Sequence, residues 1–479
     1  MKARAAAALL AAISFVLPLH ALDTEAWLAD FHQVLAEMSS HYANLDSAID
    51  DRGMDLRALR KRYEQRIRDA KSDAEARAAI DEFLAAFGDG HVRVDWNVAA
   101  PAPSSTTPAR DTRPLCERLG YASGADTRAL DFSRIAEYQP LVDADAAIFP
   151  GGILRLDGKR KAGILRIRLF METTQPQLCE AATKSLALAN DAECDGNCAW
   201  SVQLAAGDLM TAALERRVEA LRRAGATTLT VDLTGNGGGS NWVQPAARVL
   251  TPVALRGARL AFIRHEHWVK TLGSFLDDVD YDLAHDAAPR AQLLAAKTTL
   301  TRAREEARGT CDRSGIWSDP MQRPDCSLLV RGLLFATGVL PYAKTGAFPR
   351  ELHAHGSLFD PSNYAYTEGA NQLPLVILVD DNTASASEEL VAMMQDNHAA
   401  TIVGSATHGS GCGYTDGGIQ ATLAKSGASL FLPDCVRLRA DGTNEVVGIT
   451  PDVLVPFRRA DSRHQKALKV RQALLQIAK

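Results

Sequence analysis

Residues 373–412 read LPLVILVDDNTASASEELVAMMQDNHAATIVGSATHGSGC, and this stretch decides how the rest of the chain is interpreted. It opens with an apolar run at 375–379, as expected for a buried parallel strand, and turn-forming residues follow at 380–383. From Glu388 the apolar residues recur at helical spacing, and a second apolar run occupies 401–403. The stretch therefore predicts a strand, a sharp turn, a helix, a second strand and a glycine-rich loop.

Two serines, Ser385 and Ser387, lie where the predicted strand ends and the helix begins. Backbone N–H groups at a helix N-terminus are free to stabilise negative charge. A serine there can attack a carbonyl while a neighbouring amide holds the oxyanion. Serine also caps helices without any chemical role, and the local pattern alone favours capping.

The wider sequence of this segment resembles the serine peptidases of the C-terminal processing (tail-specific) and tricorn family. The resemblance rests on NTASASEELVAMMQDN at 382–397 and TIVGSATHGSGCG at 401–413. It implies that Ser385, the first serine of A-S-A-S-E, is the nucleophile. It also implies a supporting role for Asp396, which ends the M-Q-D of the predicted helix.

A histidine at a glycine corner is the general base that the resemblance implies. The residues FGDGHVRV at 87–94 resemble the L-x-D-G-H-T-x-V motif of the tricorn-like branch, in which His91 would take the serine proton. This chain has Val92 where the motif usually has threonine. The residues alone leave open that His91 is an ordinary surface-loop histidine.

The tail-specific branch of the family instead uses a lysine, in the motif T-F-G-K-G. The corresponding residues here are THGSG at 407–411, so Ser410 stands at the place of that lysine. A Ser-Lys mechanism is excluded at this position. The remaining alternatives are His91 as the base, His408 as a competing base, or a non-catalytic relative.

A glycine-rich loop, TGNGGGS at 234–240, follows a predicted strand at 227–233. It has neither the spacing nor the lysine of a phosphate-binding Walker loop. Glycines let backbone amides turn toward a substrate carbonyl, and the segment resembles the family motif D-L-R-x-N-x-G-G, with Thr234 in place of arginine. The resemblance implies an oxyanion hole formed by the amide of Gly237 or Gly238 together with the amide of Ala386. It also implies a supporting role for Asn236.

The segment NEVVGITPD at 444–452 resembles the family motif E-G-V-G-I-x-P-D and implies that Glu445 orients His91. The implied mechanism is acyl transfer through an acyl-enzyme on Ser385, and it needs no metal or cofactor. The expected function is that of an exported serine endopeptidase acting on peptides or unfolded proteins. A non-catalytic peptide-binding relative and an esterase with the same serine site are the alternatives.

The fold class implied by the resemblance is α/β, with a crotonase-like (ClpP-like) layered spiral over 156–479 and an insertion at about 253–365. Helical periodicity predicts an N-terminal helical domain over 22–96 that ends at the His91 corner. Residues 97–155 are expected to be a linker or a degraded PDZ-like region, without a clear PDZ domain. Polar side chains near the end of the insertion are candidates for the substrate path or simply surface residues: His355, Tyr364 and Tyr366.

The composition is that of an ordinary globular protein. The 479 residues are 46% hydrophobic and 23% charged, with a formal net charge of −5, which suits two or three domains. Because the chain carries no long basic run, nucleic-acid binding has no electrostatic support. Nothing in the sequence predicts the oligomeric state.

Residues 1–21 are predicted to be a secretory signal peptide. Lys2 and Arg4 precede an apolar run at 5–17, and the expected cleavage site is the Ala21–Leu22 bond. No later run reaches the roughly 18–20 apolar residues of a membrane span. The expected location is therefore periplasmic or secreted, without stable membrane insertion after cleavage.

Eight cysteines agree with an oxidising compartment, where an even number can pair. Zinc binding by Cys194 and Cys198 is the weaker alternative, because no second pair lies at finger spacing. Short sequence separations favour two disulfides, Cys412–Cys435 and Cys311–Cys326. The sequence leaves the pairing of the remaining four open: Cys116, Cys179, Cys194 and Cys198.

Overall fold

The computed structural model describes residues 22–97, 111–319, 321–415 and 417–477. The predicted signal peptide, and residues 98–110 of the predicted linker, lie outside these ranges. The helices of the described residues are α1 (Thr24–His41), α2 (Leu45–Asp50), α3 (Leu56–Asp69), α4 (Asp73–Ala85), α5 (Leu115–Arg118), α6 (Pro176–Ser185), α7 (Gly196–Arg223), α8 (Val243–Val249), α9 (Glu266–Ala284), α10 (Arg290–Ala307), α11 (His355–Leu358), α12 (Ala386–Asp396) and α13 (Arg463–Ile477). The strands are β1 (Arg93–Asp95), β2 (Tyr138–Pro140), β3 (Gly151–Asp157), β4 (Arg160–Arg166), β5 (Thr228–Asp232), β6 (Arg259–Ile263), β7 (Leu329–Phe335), β8 (Leu375–Val379), β9 (Thr401–Gly404), β10 (Ile419–Thr422), β11 (Ser429–Leu432), β12 (Cys435–Leu438) and β13 (Val453–Leu454).

A seven-stranded sheet with the order β13-β9-β8-β5-β4-β3-β2 forms the centre of the molecule. Within this sheet, β4, β5, β8, β9 and β13 pair in parallel, whereas β2 and β3 and then β3 and β4 pair antiparallel. Strand β3 spans the predicted boundary at 155/156, so the catalytic sheet begins earlier than that boundary.

Helices cover both faces of the parallel part of this sheet, which explains the unbroken apolar run of β8. Ile377 and Val379 point into a core shared with α7, α8 and α12. Val376 and Leu378 point into the opposite core, which α13 covers. Because alternate side chains of a strand face opposite sides, β8 is anchored on both faces, and it delivers the 380–385 turn at its carboxyl end.

A third core joins the N-terminal helices to the predicted insertion. Phe83 of α4 packs against Trp317 with ring centroids 6.0 Å apart, and Trp317 Nε1 donates to Ser39 Oγ of α1 at 2.7 Å. The two smaller sheets, β12-β6-β7 and β1-β11-β10, contribute to the same core. The N-terminal helices, the insertion and the segment after β9 therefore support one another.

Four disulfides are present, and they include both predicted pairs, Cys412–Cys435 and Cys311–Cys326. The four cysteines left open by the sequence pair as Cys116–Cys179 and Cys194–Cys198. Such bonds are typical of oxidising compartments. No helix of the described residues has the length and apolar character needed to cross a membrane.

Candidate active site

Ser385 lies at the sharp turn between β8 and α12, directly before the first helical residue. Its backbone has φ 57° and ψ −119°, a left-handed conformation that is uncommon for a residue with a side chain. The amide of Ser385 donates to Oε2 of Glu388, three residues further on, at 2.9 Å. The contact between Ser385 and Glu388 thereby supports the uncommon backbone conformation of the turn.

The hydroxyl of Ser385 meets His91, with 3.2 Å between Oγ and Nε2. His91 comes from the glycine corner before β1, 294 residues earlier in the chain. Gly413 faces the imidazole so closely that a Cβ there would lie 2.7 Å from Nε2. The ring of Tyr414 packs edge-on at 5.5 Å, so the imidazole is confined between two consecutive residues and the serine.

The other imidazole nitrogen, Nδ1, faces two acceptors. The main-chain carbonyl of Ser410 lies at 3.3 Å and Oδ1 of Asp89 at 3.5 Å. Asp89 is itself fixed by Tyr42 and Asn44, which donate to its Oδ2 at 3.1 and 2.9 Å. Because acceptors surround Nδ1, the proton of the neutral ring belongs there and Nε2 is free to accept the serine proton.

Glu445 does not fill the predicted orienting position. Its Oε2 accepts from Arg437 Nε at 2.7 Å, and no hydrogen bond among the described residues joins it to His91. The expected Ser385–His91–Glu445 hydrogen-bonded chain is therefore corrected: Oε2 of Glu445 pairs with Arg437, and Oε1 is buried without a hydrogen-bond partner among the described residues. Burial raises the pKa of Glu445, and the pairing with Arg437 opposes that rise.

Arg437 connects this buried ion pair to the nucleophile. Its Nη2 donates to the carbonyl of Ser385 at 3.1 Å and to that of Gly411 at 2.9 Å. Its Nη1 lies 3.2 Å from Glu389 Oε2. One guanidinium thus joins the nucleophile turn, the loop after β9 and two buried carboxylates.

Glu388, the glutamate of the A-S-A-S-E motif, holds the loop at 407–411, which corresponds to the lysine-containing loop of the tail-specific branch. It is fully buried and accepts hydrogen bonds from the nucleophile turn and from the 407–411 loop. The donors are Ser385 N, Thr407 Oγ1, Gly409 N, Ser410 N and Gly411 N, at 2.6–3.2 Å. The Ser410 carbonyl that faces His91 is therefore held in place by Glu388.

The candidate oxyanion loop runs against the nucleophile, since a Cβ on Gly238 would lie 2.7 Å from Ser385 Cβ. The amide of Gly238 donates to Asn236 Oδ1 at 2.9 Å, which removes it from the predicted donor pair. Gly237 faces open space, and the Ala386 amide belongs to the first turn of α12, where helical N–H groups lack intrahelical partners. Asn236 accepts from the Ala384 amide at 3.0 Å and so ties the loop to the nucleophile turn.

Two further predicted residues lie outside the contact between serine and histidine. The Nδ1 of His408 meets the hydroxyl of Ser410 at 2.9 Å, and no described hydrogen bond joins it to Ser385. Asp396 pairs with Arg439 and accepts from the Ala440 amide at 2.9 Å. Asp396 therefore braces the C-terminal end of α12 and does not face the nucleophile.

A cleft of about 630 Å³ opens above Ser385 and His91. One wall comes from Gly239, Ser240 and Asn241, at the end of the glycine-rich loop. Another comes from the predicted insertion, including α9, β7 and the segment around α11. His355 lines this cleft, whereas Tyr364 and Tyr366 line a separate cavity of about 270 Å³. The insertion therefore shapes the space that a substrate would occupy.

A family model described as Peptidase family S41 matches residues 201–455, more than half of the chain. The chain belongs to peptidase family S41. This assignment confirms the predicted family of serine peptidases. The matched residues include the glycine-rich loop, the Ser385 turn and the Glu445 segment, whereas His91 lies before them.

Curated relatives of this S41 chain match it only locally. A carboxyl-terminal-processing protease of Synechocystis is 48% identical over 64 residues, which cover 12% of this chain and 15% of that protein. A carboxy-terminal-processing protease of Bartonella bacilliformis is 34% identical over 86 residues, covering 18% and 19%. The matched stretches thus span less than one fifth of either relative.

The likeness to solved structures extends over nearly the whole chain. The crystal structure of mature CPAF aligns with a TM-score of 0.55 at 14% identity, covering 95% of this chain and 97% of that one. The CPAF complex with lactacystin aligns with a TM-score of 0.56, also at 14% identity, covering 95% and 98%. These matches and the central α/β sheet confirm the predicted S41 fold.

Sequence reasoning missed several residues that surround the serine and histidine. Asp89 and Glu388 stand inside the quoted motifs, one in D-G-H and one in A-S-A-S-E, so the motifs carried a signal for both. Tyr414 and Arg437 lie outside those motifs, and no local pattern marks either residue. Their importance comes from contacts that only the folded chain creates.

Proposed function

We propose that this chain is an exported serine endopeptidase in which Ser385 is the nucleophile and His91 the general base. The observation that carries the proposal is the 3.2 Å contact between Ser385 Oγ and His91 Nε2, inside the hydrogen-bonding distance expected of a nucleophile and its base, allowing for the looser geometry of a substrate-free site. The strained backbone of Ser385 supports it, because strain of this kind clusters at active sites.

Each proton has a place in the proposed reaction. Nε2 of His91 takes the Ser385 proton as Oγ bonds to the peptide carbonyl carbon, and the imidazolium then returns it to the leaving amine as the C–N bond breaks. A water molecule, deprotonated by the same imidazole, hydrolyses the acyl-enzyme and restores the serine. The Gly237 and Ala386 amides are the proposed oxyanion donors, and Asp89 with the Ser410 carbonyl stabilises the imidazolium.

The experiment compares peptide and ester substrates of matched side chain, together with cleavage of an unfolded-protein library, for the mature protein and its Ser385→Ala variant. Internal cleavage that the variant lacks supports an endopeptidase. Cleavage confined to free C-termini and blocked by C-terminal amidation would instead indicate the carboxyl-terminal processing named for the two relatives. Turnover of esters alone would show an esterase, and binding of peptides without turnover would show a non-catalytic relative.

Export is part of the proposal and is supported by four disulfides among the described residues and by the charged, then apolar, then small-residue order of residues 1–21. Intact-mass measurement of the protein recovered from the cell envelope tests it. We expect the mass of a chain that begins at Leu22, and the mass of a chain that still begins at Met1 would contradict export with signal cleavage.

A further inference from the structure

The insertion forms one wall of the cleft, and this wall contains buried acceptor atoms that receive no hydrogen bond from the described residues. Oδ2 of Asp360 is buried and has no hydrogen-bond partner among the described residues. Its other oxygen, Oδ1, accepts from Asn241 at 3.0 Å and from Asn363 at 3.2 Å. The carboxyl group is therefore held in one orientation by two amides, with half of its acceptor capacity unused.

His355 presents a second unused acceptor in the same cleft. Its Nδ1 donates to the carbonyl of Leu352 at 2.6 Å, because a carbonyl oxygen can only accept. In the neutral imidazole this leaves Nε2 as an acceptor, and Nε2 is buried without a partner in the described part of the chain. Buried polar atoms are normally satisfied, so two orphaned acceptors in one cleft require an explanation.

Asp278 of α9 adds negative charge to this wall. It is half-buried and forms no ion pair with a lysine or arginine of the described residues, and burial raises the pKa of its carboxyl group. The only arginine or lysine among the described residues lining the cleft is Arg437, which already pairs with Glu389 and Glu445. Among the described residues, Asp278 and Asp360 thus form no ion pair with a lysine or arginine, and Arg248 acts on Asp360 only by partly opposing the rise in its pKa.

We propose that Asp360, His355 and Asp278 form a subsite for a cationic side chain, lysine or arginine, of the peptide substrate. A guanidinium offers five N–H donors and an ammonium three, and neither offers an acceptor. Such a group supplies donors to the orphaned acceptors and compensates the charge of the carboxyl groups. This subsite rests on the proposed function, because Ser385 and His91 line the same cleft.

The test measures kcat/KM of the wild-type protein for peptides that differ at one residue beside the scissile bond. Arginine is compared with citrulline, a neutral group of the same shape, and lysine with norleucine. We expect a preference for the cationic member of each pair of about tenfold or more, because hydrogen bonds to charged groups are the strong ones. Equal rates within each pair at every position on both sides of the bond would overturn the subsite.

Variants locate the preference in this wall. Asp360→Asn keeps the size of the side chain and should lower the arginine-to-citrulline ratio at least fivefold, mainly through KM, as hydrogen bonds of this class imply roughly that loss. Asp278→Asn should lower it less, because Asp278 is more accessible to water. The control is Asp280→Asn on the same helix, whose carboxylate pairs with Lys297 outside the cleft at 2.6 Å and should leave the ratio unchanged.

A competition experiment covers the case in which Asp360→Asn does not fold. Argininamide peptides should inhibit wild-type cleavage of a norleucine substrate more strongly than the matching citrullinamide peptides, and equal inhibition would contradict the subsite. The outcomes separate the two proposals. Cleavage of all peptides without charge preference refutes the subsite alone, and absence of any peptide cleavage, with no peptide inhibitor of either kind bound, refutes the endopeptidase and with it the subsite.

Discussion

Arg437 donates to the main-chain carbonyl of Ser385 at 3.1 Å. The main chain of the nucleophile is therefore held by a guanidinium that is also paired with Glu445 and Glu389. A single bidentate cation can fix a strained turn because its planar donors have set directions. This contact gives Glu445 a role in the site that differs from the predicted one: it holds Arg437, and Arg437 holds the serine.

Replacing Arg437 with methionine should lower both stability and activity. It leaves the buried carboxylates of Glu445 and Glu389 without their cationic partner, which typically costs about 3–5 kcal/mol in the free energy of unfolding. Adding Glu445→Gln to that variant should recover about 1 kcal/mol or more, because the two residues are directly coupled. Denaturant unfolding of the single and double variants measures this, and a double variant less stable than Arg437→Met would contradict the coupling.

Asp89→Asn should reduce kcat/KM more than Glu445→Gln does. Asp89 faces His91 Nδ1 at 3.5 Å and stabilises the imidazolium, so we expect a loss of about 10- to 100-fold, at the low end of general-base effects. A larger loss for Glu445→Gln would show that Glu445 orients the base after all.

Glu388→Gln should loosen the loop at 407–411. A glutamine has one acceptor oxygen where the carboxylate has two, and its NH₂ group would face amide donors. We expect the free energy of unfolding to fall by about 2–3 kcal/mol, as for buried hydrogen bonds to charged groups, and kcat to fall because the Ser410 carbonyl shifts from His91. The matched control is Glu117→Gln, an exposed glutamate, and an equal effect of both changes would contradict the assignment.

The preference for cationic side chains should depend on pH. Burial raises the pKa of Asp360 to about 7, with Glu389 adding to the rise and Asn241, Asn363 and Arg248 opposing it. Above pH 7 the carboxylate is charged and attracts a cation, and below pH 7 it is neutral.

The arginine-to-citrulline ratio of kcat/KM should therefore fall as the pH drops through about 7. Any pH dependence of the chemical step itself cancels in that ratio, since both substrates use the same catalytic residues. Burial also raises the pKa of Asp278, so protonation of Asp278 as the pH falls would reduce the preference in the same direction. A ratio that stays constant between pH 5.5 and 8.5, a range of about 1.5 units either side of that value, would contradict the role of Asp360.

The strand, turn and helix around Ser385 were predictable because their signals are local. An apolar run, a turn cluster and helical spacing fall within residues 375–396, and β8 and α12 occupy the predicted places. The pairing of Cys412 with Cys435 was predictable for the same reason, since only 23 residues separate them. The Cys116–Cys179 bond joins residues 63 apart, and its prediction requires the fold.

The environment of Glu445 was not predictable because it depends on a contact between separate elements. A motif predicts that a carboxylate is near the site, but not which cation or imidazole it meets. Arg437 on β12 carries no local signal, yet its position decides the outcome. The Gly238 amide is a similar case, because its bond to Asn236 depends on how the loop turns.

Labelling with a fluorophosphonate probe tests most directly whether Ser385 and His91 act together. The probe should modify Ser385 of the wild-type protein, as identified by peptide mass spectrometry. His91→Ala should label at least about 100-fold more slowly, because serine is a weak nucleophile without its base, while its melting temperature shows that it is folded. Modification of another serine, or labelling of Ser385 in folded His91→Ala at the wild-type rate, would contradict the account.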